Sequence, residues 1–257
     1  MIDIEKAINE FNLYTQNYNF NIPEIELKYN HSFRVMNICE NIAKSLELNE
    51  EKTNLAKLVG LLHDIARFEQ FTKYHTFSDS NSVDHGDLGA EILKNNNFIR
   101  KFIKDDKYDS IIIKAVKNHN KFRIETNLEN EENLFAKIVR DADKIDIYYE
   151  TITIFYQNEE KRKAIEIGTI DDDTMEKIRN KEILKKEKKE FKIIDRLLIS
   201  LCFVFDLNYK YSFEFIEKND YINKILNQFD FKDLKTKERI EEIKEIINNY
   251  IKNNKGW

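Results

Sequence analysis

GLLHDIARFEQ, residues 60–70, sets His63 and Asp64 side by side directly after Leu61 and Leu62. The residues ahead of the doublet, Leu55, Leu58, Val59 and Leu62, recur at helical spacing and mark a face turned to a core. The pair is therefore expected on the inner side of a helix. A buried imidazole beside a buried carboxylate is costly unless something compensates both. A metal ion would do so, and its other ligands should then stand on the inner faces of other helices.

Helical periodicity runs through most of the chain. Ile4, Ile8 and Phe11 predict a first helix that ends near Pro23, and His31, Val35, Ile38 and Ile42 lie on one face of a second, about 28–46. The helix carrying the doublet opens at Asn49, with Glu50 and Glu51 in its first turn. Residues 68–84 read as a polar loop, followed by helices over 84–93, 108–120 and 130–152. Further helices are expected at about 174–187, 190–207, 210–230 and 235–253, with Asp173 and Glu176 as a capping box. There is no repeat and no strand-like alternation. The fold class is all-α, with residues 1–157 as the core and 158–257 as a C-terminal helical extension packed on it as one unit.

Composition agrees. The 257 residues hold five Gly and one Pro, few of the turn residues that strand-rich folds require. A net charge of −5 argues against a nucleic-acid coat. The basic stretch 177–192 reads as a solvated helix face. Cys39 and Cys202 sit in apolar surroundings without paired spacing and read as reduced core thiols. The N-terminal residues lack the apolar segment of a signal peptide, and the longest apolar run, 197–205, is too short to span a bilayer. A cytoplasmic protein away from the membrane is expected.

Of the five histidines, four fall in phase with apolar residues. His31 leads Val35, His63 follows Val59, His119 follows Ala115 and Val116, and His85 precedes Leu88 and Ile92. Asp143 follows Phe135 and Val139 in steps of four, whereas Asp141 points about 200° away at helical pitch. A single His on an apolar face is ordinarily a hydrogen-bonded core residue. Four of them with two in-phase aspartates suit a Zn, Mn or Fe site better than six separately satisfied groups.

The order His31, His63-Asp64, His85, His119, Asp143 resembles the HD-domain superfamily of metal-dependent phosphohydrolases, over roughly residues 28–150. The resemblance implies a helical bundle around a primary site of His31, His63, Asp64 and Asp143. Similarity to its binuclear branch implies a second ion on Asp64, His85 and His119, with Asp64 bridging. In a mononuclear alternative, His85 and His119 would bind substrate or act as general acid. Some mononuclear members carry a catalytic Glu near the third position past the doublet; Arg67 stands there, and Glu69 is out of phase. Water activated by divalent ions (Mn, Fe, Co, Ni or Zn, with Mg as a further option) is then the expected nucleophile.

Hydrolysis of a phosphate ester or anhydride follows, on a small phosphorylated substrate such as a nucleotide. Arg67 and Lys144 are expected to hold phosphoryl oxygens and stabilise transition-state charge beside Asp64. Tyr74, His75, Ser78, Asp79, Ser82 and Asp84 should rim the pocket. His75 reads as a surface loop residue, with substrate contact as its functional alternative. The run Asp171, Asp172, Asp173 reads as a helix N-cap. Two other functions fit the same ligands: an HD-fold di-iron oxygenase, and a non-catalytic module that senses a nucleotide. The C-terminal helices are open to serving as a lid, a homodimer face or a partner surface.

Overall fold

The computed structural model describes residues 2–185 and 192–254. Part of the basic stretch, 186–191, therefore lies outside the described residues. Every regular element among those described is helical. No helix among them is long and apolar enough to cross a membrane. The chain divides into two compact units, Met1–Asp143 and Lys144–Trp257, and the division falls inside a long helix rather than near residue 157.

The first unit holds α1 (Ile4–Thr15), α2 (Pro23–Ser45), α3 (Glu50–Leu62), α4 (Ala66–Tyr74), α5 (His85–Lys94), α6 (Asp109–Asn118) and the beginning of α7 (Asn130–Glu150). Pro23 at the first position of α2 starts that helix earlier than its apolar face predicts, because proline has no amide hydrogen to leave unsatisfied there. Asn49 caps α3 by accepting from the Lys52 amide at 3.0 Å. α2 packs along α3, and α5 along α6. Gly60 sets the first of these approaches. A Cβ there would stand 2.9 Å from the Met36 Cα and 2.8 Å from the Cys39 sulfur.

The predicted polar loop is half helix. α4 continues to Tyr74 because Phe68 is fully buried against Phe11, Tyr14 and Tyr18, with ring centroids 5.5–6.2 Å apart. His75 stops the helix with left-handed backbone, φ 53°.

The second unit contains the rest of α7, then α8 (Glu159–Glu166), α9 (Asp172–Arg179), α10 (Ile193–Leu201), α11 (Lys210–Lys218), α12 (Tyr221–Leu226) and α13 (Leu234–Asn253). Tyr148 anchors this core, donating to the Leu201 carbonyl at 3.0 Å and stacking on Tyr221. α9 ends at Arg179 rather than 187. Lys181 turns left-handed, and the Glu182 amide reaches back to the Lys177 carbonyl, closing the helix in a Schellman-type turn. Asp220, at φ 53°, splits the expected helix 210–230 in two, since Asp tolerates the left-handed region better than most residues. Asp171 is the N-cap of α9, accepting from Thr174 at 2.7 Å, so the Asp run caps a helix two residues before the expected Asp173–Glu176 box.

Candidate metal centre

The His63-Asp64 doublet does not lie within a helix. α3 ends at Leu62 and α4 begins at Ala66, and a tight turn carries the pair between them, with Ile65 and Arg67 amides bonded to carbonyls three residues back. The bend lets neighbouring side chains enter one space from a helix end instead of diverging around a helix. His63 and His119 use one local device. Each follows the last residue of its helix and donates its ring Nδ1–H to a carbonyl three residues earlier, Gly60 at 2.7 Å and Val116 at 2.6 Å. That satisfies a helix-end carbonyl and leaves Nε2 aimed inward. Arg140 steadies the His119 end of α6 by donating to the carbonyls of Asn118, His119 and Lys121.

The six expected ligands converge. His31 Nε2 stands 3.1 Å from His63 Nε2, 3.5 Å from Asp64 Oδ2 and 3.1 Å from Asp143 Oδ1. His63 Nε2 is 3.7 Å from Asp64 Oδ2 and 3.8 Å from Asp143 Oδ1. On the other side of the carboxylate, Asp64 Oδ1 lies 3.4 Å from both His85 Nε2 and His119 Nε2, which are 3.0 Å from each other. Donor atoms bound at about 2.1 Å to one cation stand roughly 3–3.5 Å apart. The group of Asp64, His85 and His119 matches that spacing, the group of His31, His63, Asp64 and Asp143 is slightly wider, and Asp64 is the member they share. His31, His63 and Asp64, and Asp64, His85 and His119, are two buried sets able to hold a metal ion.

Electrostatics fit cations. Burial holds His63 down to about 3, and burial together with the Arg67 charge holds His85 down to about 4, so both rings are neutral near pH 7. With Nδ1–H already engaged, these two neutral rings turn their Nε2 lone pairs inward, His63 toward His31 and His85 toward His119, where a cation would be held. Asp64 Oδ1 is buried and accepts no hydrogen bond. Burial alone would raise the Asp64 carboxyl; Lys28 foremost, then His63 and Arg67, outweigh it and keep the group well below the usual carboxylate range. Asp143 is likewise held low despite burial, chiefly by its hydrogen bond with His31.

The remaining predicted residues are placed as follows. Arg67 Nε stands 3.4 Å from Asp64 Oδ1, and its Nη1 donates to Gln70 Oε1 at 2.7 Å and the Phe77 carbonyl at 2.8 Å and pairs with Asp79. Lys144 belongs to the second unit, where its ammonium is 2.9 Å from Asp206 Oδ2. His75 is exposed, its ring near Phe71.

Sequence reading missed three contributors. Lys28, one turn before His31 on α2, puts its ammonium 2.9 Å from Asp64 Oδ2. Asp79, foreseen as rim, accepts from His85 Nδ1, Gln70 and Asn120 and is held well below its usual range; burial opposes this, and the His85 hydrogen bond leads the opposing effects. Asn120, beside His119, donates to both Asp79 and Asp84. Only the three-residue step from Lys28 to His31 left a trace in the sequence.

No curated protein and no solved structure matches the chain. The family model of the HD domain matches residues 29–148, a segment that contains all six converging side chains. That segment matches the HD domain, a family whose members are mostly metal-dependent hydrolases.

Proposed function

We propose that the protein hydrolyses a phosphate ester or anhydride of a small molecule, a nucleotide among the candidates, with two divalent cations. His31, His63, Asp64 Oδ2 and Asp143 would hold one cation, and Asp64 Oδ1, His85 and His119 the other. The observation that carries the reading is the division of the Asp64 carboxylate, each oxygen facing its own set of imidazoles. Bound there, the cations would lower the pKa of water towards neutrality and neutralise charge on the leaving oxygen.

The chain's own groups favour a phosphate. Two ligand carboxylates only half balance two divalent ions, and Lys28 and Arg67 add positive charge on either oxygen of Asp64. A centre of that sign draws in a phosphoryl group and has less hold on a neutral polyol. Arg67 is the residue proposed to stabilise phosphoryl charge, steadied by Gln70 and the Phe77 carbonyl. Glu69 is ion-paired with Lys73, which fits water activation without a carboxylate base at that point.

The test is metal analysis of protein purified without chelator, then phosphate release from a nucleotide panel under argon with Mn, Fe, Co and Ni. Two equivalents of metal and anaerobic phosphate release are expected. Oxygen consumption with a polyol or organophosphonate, and no phosphate release, would replace this reading with the oxygenase.

A further inference from the structure

Three imidazoles of the centre have a visible partner at Nδ1, and they obtain it in two ways. His63 and His119 close the ends of α3 and α6, and each finds a carbonyl of its own last turn. Their orientation comes with the helix. His85 has no such source, because it is the first residue of α5 and no helical turn precedes it. Its Nδ1 acceptor must come from elsewhere in the chain. It is Asp79, six residues earlier, whose Oδ2 lies 2.6 Å and Oδ1 2.8 Å from the ring nitrogen.

Asp79 is held by residues from two further segments. Gln70 of α4 donates to it at 2.9 Å, Arg67 of the same helix pairs with it, and Asn120 reaches it at 3.1 Å from beyond α6. Gln70 is fully buried and also donates to Ser82 Oγ and the Val83 carbonyl, tying the connection between α4 and α5 to the helix that starts it. The geometry of His85 is thus set by a side chain on a connecting segment. That of His63 and His119 is set by main chain.

We propose that Asp79 is the positioning residue of the second cation site, the carboxylate that fixes the His85 ring with Nε2 free for the metal and makes that nitrogen a stronger donor. The inference rests on the two-cation reading of the centre. Its consequence is an asymmetry. The site of His31, His63 and Asp143 loads independently of Asp79, whereas the site of His85 and His119 loses affinity when Asp79 is removed. Outer carboxylates of this kind contribute about 10–100-fold to metal affinity.

The experiment titrates Mn²⁺ and Co²⁺ into metal-stripped full-length wild type, Asp79→Ala and Asp79→Asn by calorimetry, with helical content checked by circular dichroism. Asp79→Asn retains an acceptor oxygen and guards against a misfolded alanine variant. Two binding events are expected for wild type. One of the two should fall by about 10–100-fold in Asp79→Ala and by less in Asp79→Asn, with the other unchanged. In the metal-free proteins, long-range proton–nitrogen spectra should report the Nδ1-protonated tautomer of His85 in wild type and its loss in Asp79→Ala. Unchanged binding and tautomer in folded variants would overturn the role of Asp79 and leave the two-cation centre standing. Equal weakening of both events would also overturn it, by showing Asp79 to be merely structural. A single event in wild type would overturn the two-cation reading and this inference with it.

Discussion

His85 Nε2 and His119 Nε2 stand 3.0 Å apart while the Nδ1 of each ring is engaged with an acceptor, Asp79 and the Val116 carbonyl. Without a cation, the two Nε2 atoms face one another in a buried space, and neither ring can turn away without giving up its Nδ1 partner. A cation between them would satisfy both nitrogens, so metal is expected to stabilise the native fold. Stripping the protein with chelator should lower its thermal midpoint, and returning Mn²⁺ or Co²⁺ should restore it. At a hundredfold excess over Kd the linkage is about 2.7 kcal/mol, which corresponds to about 5–10 °C for a chain of this size. Scanning calorimetry with and without metal checks this, and an unchanged midpoint would argue against a resident cation.

Asp64 is common to both sets of donors. Asp64→Ala should abolish turnover and deplete both cations, while the far-ultraviolet spectrum stays helical, because the side chain lies in a turn between α3 and α4 and caps neither helix. Elemental analysis and a phosphate-release assay on the same preparation test it. Full activity in that variant would remove the assignment of the centre.

Arg67 touches the centre and the following segment together. Arg67→Ala should lower kcat/KM by about 100-fold, the scale of losing one transition-state donor, while the metal bound by His31, His63 and Asp143 stays in place. Lysine should not rescue it. A single ammonium cannot reproduce a guanidinium that lies against Asp64 and also serves Gln70 and the Phe77 carbonyl. Activity unchanged in Arg67→Ala would leave the residue a purely structural ion pair.

Gly60 carries the closest approach of α2 and α3. Any side chain there meets the Met36 Cα at 2.9 Å, a backbone atom that cannot rotate aside. Gly60→Ala should cost about 1–3 kcal/mol in urea unfolding, as overpacked cores do. Because the Gly60 carbonyl also orients His63, metal affinity should fall in the same variant. Stability equal to wild type would show that the two helices can separate without consequence.

The all-α class and the inward phase of the ligand histidines were legible in the sequence, because side-chain periodicity is a local property of a helix. Some boundaries were not. Phe68 draws the predicted loop into α4 through contacts with α1, and Asp220 breaks a periodic run by adopting a left-handed backbone that spacing does not reveal.

By itself the sequence determined that helices, an HD doublet and four in-phase histidines must be accommodated together, since burying them separately would leave polar groups uncompensated. Only the tertiary structure decided how. It moved the doublet from a helix into a turn, faced the two Asp64 oxygens to different imidazoles, brought Lys28 and Arg67 to that carboxylate, and assigned Asp79 to His85. These relationships join residues from separate helices and segments, and the direction in which a carboxylate or a ring nitrogen finds its partner is set by packing rather than by spacing along the chain.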